Sequence, residues 1–269
     1  PVMGIVLILL SVWVWALYGR ISGSQFRSKI AAALEKGIPA GCLVLFLITV
    51  KNYWLGFSPP TSQKDALNLS LPFSEGTFVV RAGGSNEFLN HHFPNIRQRY
   101  AIDISRNDYM GLIADLVRFL PMSSVIPSGK SDYDSSRNSI FSIWGTSVVS
   151  PCDGSVISID DRWSDLGANS PTPVTALDFP GGNFVDIRCD SRPDITVHLA
   201  HLMMESITVK VGDRVSSATV LGRVGNSGNT TEPHLHMEAY NSKKEGVPML
   251  IDRRFLINGS IASPLPLAP

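Results

Sequence analysis

Ala200 to Glu238 reads AHLMMESITVKVGDRVSSATVLGRVGNSGNTTEPHLHME. In it, and in the run ITVHLAHL (195–202) that leads into it, short stretches rich in Val, Ile and Thr end at Gly, Asn, Asp or Pro, which is the pattern of closely spaced strands joined by turns. The end of the stretch, GNSGNTTEPHLHME (225–238), sets His234 and His236 two apart behind a glycine-rich loop and Pro233. Along a strand the side chains at i and i+2 share a face, so these imidazoles point together. Gly225 and Gly228 permit tight turns, and Pro233 restricts the approach to the strand. Two imidazoles on one face suit a zinc site, or one ligand beside an acid/base partner; two structural histidines are the plainer reading.

Working outward, the same pattern recurs in TFVVRA (77–82), RYAIDI (99–104), TSVVSP (146–151), GSVISID (154–160), NFVDIRC (183–189), ITVKVG (207–212), TVLGRVG (219–225) and HLHMEAY (234–240). This spacing predicts a mainly β domain over residues 77–262, an antiparallel β-sheet sandwich or barrel-like core. An insertion at about 106–140 departs from it. Leu112, Ile113, Leu116, Val117 and Leu120 fall at helical spacing in DYMGLIADLVRFLP (108–121), predicting an amphipathic helix that covers a sheet face, lids a site or touches a membrane surface.

The chain has 269 residues, 44% hydrophobic content and zero formal net charge, a balance that gives no support to a nucleic-acid partner. Its apolar excess lies near the start. Residues 2–18 carry no charge and, as a helix, would extend about 25 Å. Residues 37–54 are interrupted only by Lys51, with Tyr53 and Trp54 beside it. Both runs are expected to be transmembrane helices, forming a membrane anchor over residues 1–55; core helices or a cleaved signal peptide are the alternatives. Arg20, Arg27, Lys29 and Lys36 outnumber Glu35 between them, which puts that loop in the cytoplasm and everything after Trp54 outside. Residues 56–76 mix Pro, Ser and charge without a period and read as a linker. Cys152 and Cys189 fall in the outward part, either bridged or buried as free thiols.

Asp103 stands between Ile102 and Ile104 in an expected strand, where a carboxylate needs a cleft, a cation or an exposed edge. With His201 from VHLAHL it joins the two C-terminal histidines as a candidate. Taken together, the Ala200–Glu238 stretch and WGTSVVSPCDGSVISID (144–160) resemble the lysostaphin/LytM-type zinc metalloendopeptidases, peptidoglycan hydrolases of the duplicated hybrid motif fold. The shared elements are the H-L of the family's Y/A-x-H-L segment, at His201 and Leu202, with V-K-x-G-D-x-V, G-x-x-G-N-S-G, H-L-H and an upstream G-T-x-V hairpin. The resemblance implies one zinc per chain, held by His236 and Asp103, with His201 and His234 as catalytic histidines. The family's remaining ligand stands four before the aspartate, where this chain has Arg99, which as a guanidinium cannot bind metal. A subgroup with N-x-H followed by Q-R-Y-A-x-D matches NHHFPNIRQRYAID (90–103) and makes His92 the third ligand, with His91 its competitor.

The resemblance implies a zinc metalloendopeptidase cutting peptidoglycan cross-link peptides, and the apolar runs with the basic loop between them place it in the bacterial cytoplasmic (inner) membrane, its domain extracytoplasmic or periplasmic. The alternative is an inactive regulatory or binding module that activates another wall hydrolase through a protein partner, a reading that Arg99 favours. A lipoyl- or biotin-carrier-like fold would need a lysine at a hairpin tip, and no such turn is present.

Overall fold

Strand β10 (Leu235–Asn241) alternates as expected: Leu235, Met237 and Ala239 join the hydrophobic core, and His236, Glu238 and Tyr240 take the other face. In the computed structural model, the described residues are 65–106, 135–170 and 173–265, with positions 47, 48, 50, 51 and 56 before them. Antiparallel neighbours of β10 are β3 (Ile102–Arg106) and β7 (Ile195–Leu202). These strands are the middle of an eight-stranded sheet. On one side follow β2 (Phe78–Ala82) and β12 (Ile261–Ala262); on the other β6 (Asn183–Cys189), β5 (Gly154–Asp160) and β8 (Arg214–Val215). Two short pairs complete the fold: β4 (Ser147–Val149) with β9 (Val220–Arg223), antiparallel, and β1 (Leu67–Leu69) with β11 (Met249–Ile251), parallel.

One face of the large sheet supplies Phe78, Val80, Ile102, Ile104, Val185, Ile187, Val197 and Leu199 to a single core, which also takes in Leu67, Leu69, Phe73, Val148, Leu221 and Met249 from the small pairs and their approaches. Burying each large side chain contributes about 1.5–3 kcal/mol. The opposite face is thereby left to polar residues. Cys152 and Cys189 are bridged, Cα to Cα 5.8 Å, beside the point where Gly154 pairs with Cys189, so the bridge fastens one end of the β5–β6 hairpin.

The fold is the mainly antiparallel β architecture expected, with three differences of detail. Leu67–Leu69 is a strand and Leu71 and Phe73 are buried, so the stretch expected to end a linker is folded from about residue 65, where apolar side chains find partners against β11 and the core. Residues 207–212 form no strand. Their amides are satisfied piecemeal, by Leu221 O, Asp161, Asp213 and Val156 O, and this prevents a continuous ladder. The third difference is a bridged cysteine pair where two readings stood open.

The chain divides into two units, Pro1–Gly56 and Phe57–Pro269. Of the first, Leu47, Ile48, Val50 and Lys51 are helical and exposed. No helix among the described residues is long and apolar enough to cross a membrane. The expected transmembrane runs lie outside the described residues, 2–18 entirely and 37–54 apart from those four positions. Residues 107–134, with the expected amphipathic helix, also lie outside them.

Candidate metal centre

On the polar face, His236 of β10 stands opposite Asp103 of β3, and its Nδ1 lies 2.9 Å from Asp103 Oδ1. Alternation dictates this: Ile102 and Ile104 enter the core, so the residue between them turns the other way. Asp103 is 6% exposed and His236 3%, so neither is hydrated to any extent. The second carboxylate oxygen, Oδ2, lies 2.9 Å from His92 Nε2.

His92 comes from the loop between β2 and β3. That loop is shaped by Asn90, fully buried, whose amide donates to the carbonyls of Gly84, Arg99 and Ala101 while its Oδ1 accepts the His92 backbone N–H. Asn90 thus gives the N-x-H element a physical meaning: it closes the loop and hands His92 to Asp103. His91 is the looser neighbour, its side chain 70% exposed and its Nε2 3.7 Å from Asp103 Oδ2. Arg99 stays out of the cluster, donating to Phe93 O and lying over the Phe93 ring.

His201 reaches the site through a β-bulge. Asn183 pairs with Leu202 and Phe184 with Ala200, so His201 is the extra residue, with a left-handed φ of 61°. Simple alternation would send it into the core; the bulge re-aims it to the polar face. Its backbone N–H donates to Gly181 O and its Nδ1–H to Ser227 O, at 2.8 Å. These two loops touch backbone to backbone. A Cβ on Gly182 would lie 2.4 Å from Ser227 C, and one on Gly228, at φ +84°, 2.4 Å from Gly182 N, so neither tolerates a side chain. Pro233 and His234 precede β10, and His234 Nδ1–H donates to Glu232 O, leaving Nε2 3.6 Å from Asp103 Oδ1. Because a carbonyl can only accept, both His201 and His234, when neutral, carry the proton on Nδ1 and a lone pair on Nε2.

Burial works against the Asp103 charge, yet His234 and the hydrogen bonds from His236 and His92 hold its carboxyl well below the usual carboxylate range. Burial, reinforced by His234 and His236, pushes the His201 imidazole well below its ordinary value. Burial lowers His236 too, against the opposing pull of Asp103. A buried carboxylate with imidazole nitrogens converging on both oxygens is a donor set that fits a divalent cation, and nitrogen with oxygen ligands suits zinc. His91, His92 and Asp103 alone bring three ligand atoms within 4.8 Å of one another.

All the residues singled out from the sequence therefore meet: His91, His92, Asp103, His201, His234 and His236. Sequence reasoning missed the wall beside them. A cavity of about 560 Å³ is lined by His92, His201 and His236 at one end and by Arg97, His198 and Tyr240 further along. Asp186 holds His198 Nδ1 at 2.6 Å, Tyr240 OH lies 3.4 Å from Asp186, and Arg97 pairs with buried Glu238 at 2.7 Å. The signal was available: Glu238 and Tyr240 follow His236 at i+2 and i+4.

Residues 139–248 match the model of Peptidase family M23. No curated protein matches the chain. Among solved structures, a zinc containing peptidase from Vibrio cholerae is similar at 26% identity, over 38% of this chain and 25% of that one, with a TM-score of 0.28. LytU is similar at 27% identity, over 38% of this chain and 58% of that one, TM-score 0.28. The catalytic domain of the antimicrobial peptidase lysostaphin from Staphylococcus simulans is similar at 23% identity, over 44% of this chain and 83% of that one, TM-score 0.29. The chain thus spans a quarter of the first relative's length and 58% of the second's. The match to Peptidase family M23 falls on residues 139–248, the part of the chain where the hairpin, the H-L segment and the H-L-H strand all lie.

Proposed function

We propose that this domain is a zinc metalloendopeptidase that hydrolyses peptide cross-links of peptidoglycan. One observation carries the reading: His92 Nε2 and His236 Nδ1 each lie 2.9 Å from a different oxygen of buried Asp103, leaving His201 and His234 beside them. His92, Asp103 and His236 would hold the ion, one per chain. Lewis acidity toward a peptide carbonyl, and acidification of a water, is the chemistry such an ion supplies when bound.

The chain's own residues supply the rest. In their neutral forms His201 and His234 present the Nε2 lone pair, so either accepts a proton from the attacking water and returns it to the leaving amine. The imidazolium so formed also donates to the developing oxyanion. Backbone acceptors, Ser227 O and Glu232 O, hold both rings in the required tautomer. The cavity extending past His198 to Tyr240 gives an extended peptide room to lie across the sheet.

The surroundings of the reaction are part of the same proposal. The apolar runs at 2–18 and 37–54 would anchor the chain in the bacterial cytoplasmic membrane, with the peptidase unit extracytoplasmic or periplasmic. A Cys152–Cys189 bridge supports an oxidising compartment.

The test is elemental analysis of the purified protein together with digestion of purified peptidoglycan, with and without a chelator. Near-stoichiometric zinc and chelator-sensitive release of new amino termini are expected. A folded protein with neither would overturn the reading in favour of a regulatory module acting through a protein partner.

A further inference from the structure

The cleft contains a second histidine–carboxylate system that the peptidase reading does not use. On the polar face, β10, β7 and β6 are in register, so that Glu238 pairs with His198 and His198 with Asp186. This row lies two residues along the strands from the row of Asp103, His236 and Ala200, about 7 Å away. His198 is 7% exposed and is held by Asp186, itself braced by Tyr240, and by Phe184. Asp186 accepts its Nδ1–H at 2.6 Å, Tyr240 OH approaches the other Asp186 oxygen, and the Phe184 ring packs on the imidazole at 4.9 Å. Its Nε2 has no hydrogen-bond partner among the described residues, and the side chain lines the cavity. Gly181 keeps the approach open, because a Cβ there would stand 3.1 Å from that nitrogen.

A buried imidazole fixed at one nitrogen and presented at the other is built to bind something in the cleft. We propose that His198 is a substrate-binding residue, its Nε2 hydrogen-bonding a main-chain amide group of the peptide about two residues from the scissile bond, with Asp186 and Tyr240 as positioning residues. This rests on the peptidase reading and deepens it, since it names a contact that selects how the peptide lies. Two residues of extended peptide span about 7 Å, which matches the separation of the two rows.

The test uses soluble cross-linked peptides released from purified peptidoglycan as substrate, with the parent, His198→Ala, His198→Gln, Asp186→Asn and Gly181→Ala. Zinc content and thermal midpoint are measured on each, with kcat and KM. His198→Ala and Gly181→Ala are expected to raise KM about tenfold at unchanged zinc content, the size of one lost hydrogen bond to a buried group. His198→Gln should recover part of the loss, and Asp186→Asn should fall between. A KM for His198→Ala and Gly181→Ala within about twofold of the parent overturns the proposal; if His198→Ala does not fold, Gly181→Ala decides, because it leaves the Asp186–His198 pair in place. If the parent cuts no wall peptide, the peptidase reading fails by itself. Co-sedimentation of the metal-stripped proteins with insoluble peptidoglycan then decides the contact: binding by the parent that both variants lose sustains it, and equal or absent binding sinks it.

Discussion

Asp103 and His236 face each other across the β3–β10 ladder, and the Oδ1 of one lies 2.9 Å from the Nδ1 of the other. The other oxygen of Asp103 meets His92 at the same distance, whereas His91 stands off at 3.7 Å with most of its side chain in solvent. Substituting Asp103 with Ala, or His92 or His236 with Ala, is therefore expected to lower zinc content to near background, with His91→Ala retaining it. Elemental analysis of the four variants checks this. Full zinc in His92→Ala beside loss in His91→Ala would reverse the two roles.

The tautomer of His201 is fixed by Ser227 O, which places its free lone pair on Nε2. His201→Ala should keep zinc, because the proposed ligands, His92, Asp103 and His236, do not include it. Peptide cleavage should drop about 10²- to 10⁴-fold, the usual contribution of a positioned acid/base. Rates of amine release from digested peptidoglycan, normalised to zinc content, measure this, and an unchanged rate would remove His201 from the chemistry.

Burial first, then the neighbouring imidazoles, depresses His201 below its ordinary value, and burial depresses His236. An unfolded chain then binds more protons than the folded one as pH falls through the ordinary histidine range, so stability drops. Asp103 adds to the same trend at lower pH: its carboxyl is held well below the usual range, and its contribution is lost as pH falls from the unfolded carboxylate value through the folded one. The metal-free protein should therefore unfold at progressively lower urea concentration from pH 7.5 to pH 4. His201→Gln should flatten the part of that slope between about pH 7 and 5. A midpoint that rises on acidification would contradict the sign.

How far the sequence carried this site differs from residue to residue. His236 and Asp103 were legible because strand alternation is a local property: apolar neighbours at i±1 leave one direction for the polar side chain. His201 was not legible in that way, since alternation along VHLAHL sends it into the core and only the bulge opposite Asn183 and Phe184 reverses it; the family resemblance named it instead. The choice between His91 and His92 depends on how Asn90 closes its loop, through acceptors nine and eleven residues on. His198 escaped notice because its meaning lies in Asp186, a cross-strand neighbour whose register is set by tertiary pairing. Strands as short as β8, β11 and β12 carry too few residues for a pattern, and β1 hid in polar surroundings that resemble a linker.

Arg97 and Glu238 form an ion pair at 2.7 Å in which the glutamate side chain is 1% exposed and the arginine 36%. Arg97 also lies over the Tyr240 ring, 4.3 Å from its centre. Removing the cation leaves a carboxylate without compensation in the sheet's polar face, so Arg97→Ala should destabilise by about 3 kcal/mol, the low end for buried pairs because water reaches the guanidinium. Adding Glu238→Gln to that variant should recover part of the loss. Urea midpoints of the parent, the two single variants and the double variant form the cycle that measures it, and strict additivity would mean that the pair contributes no coupling.

Cys152 and Cys189 are 37 residues apart in sequence and are bridged where β5 begins and β6 ends. A closed loop of that length restricts the unfolded chain enough to stabilise the fold by about 3–4 kcal/mol in the chain-entropy account. Because β6 also supplies Asp186 and pairs with β7, which carries His198 and His201, loosening this hairpin reaches the cleft as well as the edge. Reduction, or the pair of changes Cys152→Ala and Cys189→Ala, should lower the unfolding free energy obtained from urea denaturation by that amount while zinc stays bound at moderate temperature. Denaturation with and without reductant checks the stability, and thiol counting on the purified protein checks the bridge: two titratable thiols at these positions in unreduced protein would show that it does not form.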